Sequence, residues 1–209
     1  MDKESGTPQA RDSRRAQAGR TARKPDFLLT AFELREVTTF AVAAAAEVLP
    51  IYESASPNDA RPRRAIEAAQ NIVQGASRSK LQRITAFAAH RAAKDAPSRA
   101  AHHAAMAAGD AAASVYLHPL ADAAQVNHIL RAAAHAARAT ELIRTDVPHA
   151  AETSLETARR RATPRLVSVL SRYPTTPEGS HRVAQLMHRL DVALRDSSDI
   201  IERQIGEGK

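Results

Sequence analysis

Apolar positions spaced three and four residues apart run through nearly the whole chain, and prolines and glycines punctuate them; this pattern predicts helices. Leu34, Val37, Ala41, Ala45 and Val48 share one face of a first helix. Thr30 and Glu33 stand at capping-box spacing at its start, and Pro50, which lacks a ladder donor, predicts its end near Leu49. A second helix is predicted from about Pro62 to Gln74, capped by Asn58 or Asp59, buried through Ile66, Ala69 and Val73, and stopped by Gly75. Ser77 or Ser79 opens a third, with Leu81, Ile84, Phe87 and Ala88 as its buried face and Pro97 closing it.

Farther on, 24 of the 54 residues from Ala86 to Ala139 are alanine, which reads as helical core rather than low complexity. A side chain that ends at Cβ lets helices pack at short interaxial distance. Ser98 caps a helix running to about Tyr116, His118-Pro119 marks a turn, and Leu120 to Thr145 reads as one long helix or two broken ones. Pro148 starts a further helix at its first turn. Pro164 then either breaks that helix at Thr163 or begins a new one reaching Arg172. Residues 173–179 read as a loop, and Val183, Leu186, Met187, Leu190 and Leu194 line one face of a C-terminal helix. No segment alternates with period two. The predicted fold is all-α, a single Ala-rich helical bundle of about seven helices over 26–196, with a disordered basic tail at 1–25 and a frayed end at 197–209.

Composition sharpens this picture. The 209 residues include 46 alanines, the best helix former, but no cysteine and no tryptophan. Disulfides, thiol nucleophiles and cysteine-ligated metals are thereby excluded. Seven glycines and seven Phe and Tyr together leave little for a phosphate-cradling loop or a base-stacking platform. Of the formal net charge of +7, residues 1–25 carry +4, from seven bases and three acids. Any loose contact with nucleic acid or anionic lipid is therefore confined to the tail, which has neither the apolar run of a secretory signal nor the amphipathic spacing of a transit peptide. No stretch reaches the length of an apolar membrane span, and the expected location is cytoplasmic.

Nine histidines raise the question of a metal centre. Neither Glu-x-x-His nor His-Glu-x-x-His occurs, and His128 and His135 lie two turns apart on one helix, too far to share an ion side by side. No metal or cofactor is expected, nor a catalytic residue, since Gly-x-Ser-x-Gly is also absent. The histidines read as polar core, or as the lining of a pocket. Arg61-Pro-Arg63-Arg64 and Arg159-Arg160-Arg161 read as solvated helix ends. Asp59 suits a cap, Pro62 a first turn, and Glu67 lies one turn beyond Arg63 on the same face, while Arg61 has Asp59, Glu47 or Glu53 within plausible reach.

The most patterned stretch is Val48-Leu-Pro-Ile-Tyr-Glu53, followed by Pro57-Asn-Asp59-Ala-Arg61-Pro-Arg63-Arg64-Ala-Ile-Glu67-Ala. Together with Ala86-Phe-Ala-Ala-His90-Arg-Ala-Ala, Ala107-Ala-Gly109 and His128-Ile-Leu-Arg-Ala-Ala-Ala-His135, it resembles a bacterial family of Imm-5-like immunity proteins over roughly residues 30–145. Where that family commonly has His this chain has Tyr116, and where it has Tyr this chain has His135. The resemblance implies a protein that neutralises a cognate protein toxin by binding, without chemistry of its own. A second class remains open: a helical small-molecule or nucleotide-binding protein, or an enzyme, with a pocket lined by His90, His102, His118 and His128. The binding or polar-core candidates are thus Asp59, Arg61, Arg63, Glu67, His90, His102, Tyr116, His118, His128 and His135.

Overall fold

The computed structural model describes residues 25–206, with side chains for 25–196. The expected basic tail lies outside the described residues except for Pro25, as do the side chains of the expected frayed end. Eight α-helices and no strand occur among the described residues: α1 (Ala31–Ala55), α2 (Arg61–Val73), α3 (Lys80–Asp95), α4 (Arg99–Ala113), α5 (Asn127–Ile143), α6 (Ala150–Arg161), α7 (Pro164–Leu170) and α8 (Arg182–Gly206). Short 3-10 turns at Ser114–Tyr116 and Ala123–Val126 follow α4 and precede α5.

The helix starts follow local chemistry. Thr30 and Glu33 form a reciprocal capping box on α1, and Ser79 and Gln82 do the same on α3. Ser98 and Thr163 cap α4 and α7 by accepting the backbone N–H of Ala101 and Leu166. Helices α1, α4 and α5 form the mutually packed centre, with α2 and α3 on one side and α6, α7 and α8 on the other. The centre is built from alanine: Ala101, Ala104, Ala105, Ala108, Ala111 and Ala112 of α4 and Ala134 and Ala137 of α5 are fully buried. Larger side chains, Leu166, Leu170, Leu186, Leu190 and Leu194, fill the side formed by α7 and α8.

Because alanine sets the spacing of α4 and α5, added bulk there overpacks the core. Ala112→Leu and Ala133→Leu are each expected to cost about 1–3 kcal/mol, read as a lowered urea midpoint at unchanged slope. Midpoints at the wild-type value for both variants would show that something other than alanine holds these helices apart.

Three expectations about elements are corrected. Helix α1 does not stop at Leu49 but runs through Pro50 to Ala55. A proline inside a helix costs roughly 3 kcal/mol, and the burial of Tyr52, whose hydroxyl donates to Asp59 at 2.6 Å, favours continuation. Pro148 is not in the first turn of α6; it lies in the preceding turn, and His149 adopts a left-handed conformation (φ 59°) before the helix begins at Ala150.

The third correction turns α3 around. Its predicted buried row is exposed: Leu81, Ile84 and Phe87 have relative exposures of 45%, 61% and 58%. The inward face is Gln82, Thr85, Ala86, Ala89, Ala92 and Ala93. That face is narrow enough to lie against the alanines of α4, and its polar groups are satisfied on site. Gln82 donates to the Ala68 carbonyl at 3.0 Å, and the Thr85 hydroxyl donates back to Leu81 O at 2.9 Å. Close approach with satisfied hydrogen bonds outweighs the burial of three larger side chains.

Candidate functional site

The patterned segment around Asp59 forms a clasp between helices. Asp59 accepts the Tyr52 hydroxyl, the Arg61 backbone N–H at 3.0 Å and the Arg61 guanidinium at 2.6–3.0 Å. Its side chain thus holds the first donor of α2, although Ala60 occupies the cap position. Arg61 also reaches Asp95 at the end of α3 at 2.9 Å. These hydrogen bonds from Arg61, against the opposing effect of burial, hold the Asp59 carboxyl well below the usual carboxylate range. Burial and the adjacent Asp59 push the Tyr52 hydroxyl up to about 12. Arg63 turns to Glu53 at 2.6 and 2.8 Å, not to the exposed Glu67, because the continuation of α1 past Pro50 brings Glu53 into range. The second basic run is also paired, Arg159 and Arg160 with Glu156 and Arg161 with Glu47.

A second constellation sits where α3, α4, α5 and α8 meet. Asp110 of α4 is buried, with 1% of its side chain exposed, in a helix of which nine of fifteen residues are alanine. Arg131 of α5 grips it with both prongs, Nε to Oδ2 at 2.9 Å and Nη2 to Oδ1 at 2.6 Å. His90 of α3 donates Nε2–H to Oδ1 at 3.1 Å, and His135 Nε2 lies 3.7 Å from Oδ2. Burial would raise the Asp110 carboxyl, but the hydrogen bonds from His90 and Arg131 outweigh it and hold the group at about 2. Gly109 makes the His90 contact possible: a Cβ there would sit 2.3 Å from His90 Cδ2 and 2.5 Å from Nε2.

Behind this pair, His135 and His103 bring their Nδ1 atoms to 2.9 Å. One must donate and the other accept. The Asp110 carboxylate 3.7 Å from His135 Nε2, beyond hydrogen-bond length, favours the tautomer with the proton on that nitrogen, in which His135 Nδ1 is the acceptor and His103 carries the proton on Nδ1. Burial lowers the His135 imidazole to about 3 and, with the neighbouring His102, Arg138 and Arg99, lowers His103 to about 4. His102 donates Nδ1–H to the Ala93 carbonyl at 2.8 Å and stands edge-on to His103.

His90, His102, His103, Arg131 and His135 line a cleft of about 690 Å³, completed by Lys94, Met106, Asn127, His181, Val183, Ala184 and Met187. Of the four histidines predicted to share a pocket, His90 and His102 are here, and His135 joins them. His118 and His128 are not. His118 is exposed in the turn after α4, not in the core, and its carbonyl accepts the Tyr173 hydroxyl. His128 is half-buried against Ala113, and burial lowers its imidazole below the usual value. Tyr116 donates to the Ser79 carbonyl at 3.1 Å beneath the guanidiniums of Arg78 and Arg83, so it and His135 share no partner.

Asp110, Arg131, His103 and His181 were missed from the sequence. Among the described residues, no group of three or more His, Asp or Glu side chains is placed to hold a metal ion, and no helix is long and apolar enough to cross a membrane.

The outward row of α3 adjoins this region. Leu81, Ile84 and Phe87 are flanked on the same helix by exposed Lys80, Arg83, Arg91 and Lys94. The helix's one acid, Asp95, is engaged by Arg61.

A family model described as Imm-5 like putative immunity protein matches residues 28–163, a span that takes in α1 through α6. No curated protein and no solved structure matches the chain.

Proposed function

Because the chain belongs to the Imm-5 like putative immunity protein family, we propose that it neutralises a partner toxin in the cytoplasm by binding it, with the outward face of α3 at the centre of the contact. The observation that carries this reading is the exposure of Leu81, Ile84 and Phe87 in one row. Contiguous apolar surface on an otherwise polar helix face marks a site of association. Three such side chains ringed by polar ones match the anatomy of an interface centre, where a few anchors carry most of the energy.

The occupant follows from charge. Lys80, Arg83, Arg91 and Lys94 surround the row, so a second copy of the same face would meet like charges. The chain's N-terminal segment, with its own net +4, is disfavoured for the same reason. The complementary partner is a protein surface with an apolar centre and an acidic rim. Occlusion of the toxin needs about 800 Å² on each side, so the row supplies the anchors and neighbouring helices the remainder.

Ile84→Asp and Phe87→Asp change exposed positions and should leave the melting temperature unchanged. They place a charge in the apolar centre and add an acid to a contact with an acidic rim. Each is expected to weaken toxin binding at least about a hundredfold, roughly 3 kcal/mol. The measurement is growth rescue of cells expressing the toxin that co-purifies stoichiometrically with the wild-type protein, together with the affinity of the purified pair. Full rescue by both variants would show that α3 is not the contact.

A further inference from the structure

The hydrogen bonds around the α3–α4–α5–α8 cleft, with the field of the Asp110 carboxylate on His135, assign which of its nitrogens donate and which accept, and that code describes a ligand. In their neutral forms, His90 and His102 each spend their one N–H within the protein, on Asp110 and on the Ala93 carbonyl. His103 spends its N–H on His135. What these three rings have left is a bare nitrogen: Nδ1 of His90, and Nε2 of His102 and His103. None of these atoms is both buried and unpartnered, so each reaches open space. Asn127 donates to the Ala124 carbonyl and keeps its own Oδ1 as an acceptor. The donors that remain are few: the Lys94 ammonium, the Arg131 Nη1, which Asp110 does not use, and Nε2–H of His181, whose Nδ1 accepts the Ala184 N–H at 3.2 Å.

The charge balance has one sign. Asp110 behind the wall cancels Arg131, Lys94 adds a positive charge, and no carboxylate among the described residues lines the cleft. Met106, Val183, Ala184 and Met187 form an apolar wall. The volume of about 690 Å³ falls within the range of small-molecule sites.

We infer that this cleft binds a small organic phosphate of nucleoside-monophosphate size, its anionic group held by Lys94, Arg131 and His181, its N–H and O–H groups by the bare imidazole nitrogens, and its flat body by the methionine wall. Phosphate suits the site better than carboxylate because the donors come from three elements, α3, α5 and the segment entering α8. Donors arriving from several directions match a tetrahedral oxyanion, whereas a planar carboxylate is satisfied by a single arginine fork. The imidazole acceptors require that the rest of the ligand bring donors of its own. A purely apolar phosphate would leave them unpaired, and a neutral nucleoside would leave Lys94 without its counter-charge.

The test uses the full-length protein and three probes: adenosine 5′-monophosphate, adenosine and phenyl phosphate, titrated by calorimetry near pH 7.5. The monophosphate is expected to bind at least about tenfold more tightly than either of the others. Arg131 cannot be changed without exposing Asp110 to an unpaired state, so the diagnostic variant is Lys94→Gln, at an exposed position that no described hydrogen bond needs. It is expected to weaken the monophosphate about tenfold and leave adenosine unchanged. Nitrogen NMR of the wild-type imidazoles supplies a second readout: His102 Nε2 and His103 Nε2 should move from bare to hydrogen-bonded shifts on addition of the monophosphate.

Absence of binding by the monophosphate at millimolar concentration would overturn the inference, as would equal affinity for all three probes or an unaffected Lys94→Gln protein. The Ile84→Asp protein should bind the monophosphate normally, so failure of the toxin contact and failure of this site are separate results.

Discussion

Asp110→Ala is expected to destabilise the fold by about 3 kcal/mol, a large part of the roughly 5–15 kcal/mol typical of a domain. The carboxylate is almost completely buried, and its removal leaves the Arg131 guanidinium and the His90 N–H facing a site with no acceptor. Breaking a buried ion pair from one side costs about 3–5 kcal/mol, because the desolvated partner keeps its charge. The low end applies here: 35% of the Arg131 side chain is exposed and can turn toward water. Asp110→Asn keeps an acceptor and most of the shape, and should cost less than half as much. Urea unfolding measures both. A loss under about 1 kcal/mol for the alanine variant would show that the pair is not what holds α4, α5 and α3 in register.

The second large effect is acid sensitivity that begins well above the carboxylate range. His103 and His135 are lowered to about 4 and about 3 in the fold, chiefly by burial, and His128 is lowered in the same direction. In the unfolded chain they titrate near 6.5. Below that value the unfolded state binds protons that the folded state refuses, so stability falls as pH falls from about 6.5 toward 4. Each such histidine contributes a slope of at most about 1.4 kcal/mol per pH unit, and His103 and His135 together should remove about 2–3 kcal/mol between pH 6.5 and 5.

Carboxylates enter later. Asp110 and Glu33, both held at about 2, the latter by Arg172, stabilise the fold above their unfolded values, and that stabilisation is lost as pH drops from about 4 toward 2. Urea midpoints across this range should show the first decline before the second. In His103→Gln the first decline should shrink by about half; an unchanged decline there, or a flat wild-type profile down to pH 5, would place the responsible groups elsewhere.

Most of the helical layout was legible because it is written locally. Thr30 three residues before Glu33 and Ser98 ahead of its helix each satisfy backbone donors within one turn of chain, so spacing alone identifies them, whereas the choice of Ser79 over Ser77 and of a new helix at Pro164 over a break, which the spacing left open, fell to the folded chain. The row Val183, Leu186, Met187, Leu190 and Leu194 was legible for a related reason: a lone helix with one large apolar face has one way to lie. The family was legible from the linear motif at 48–68, which belongs to the chain itself and not to its folding.

What the tertiary structure alone decided is orientation and pairing among residues distant in sequence. Helix α3 has two usable faces, one with large apolar side chains and one with alanines, and the choice belongs to α4, whose alanine surface accepts only a narrow partner. Pro50 lies inside α1 because Tyr52 finds Asp59 in the next segment, and Arg63 leaves Glu67 because the lengthened α1 presents Glu53. Nothing in the spacing singles out Asp110; Arg131, twenty-one residues on, is what makes its burial affordable, and Gly109 is what lets His90 approach. Local hydrogen-bond geometry is a property of a few consecutive residues and can be read along the chain. A buried charge or a helix face is settled by the free energy of contacts that exist only once distant segments have met.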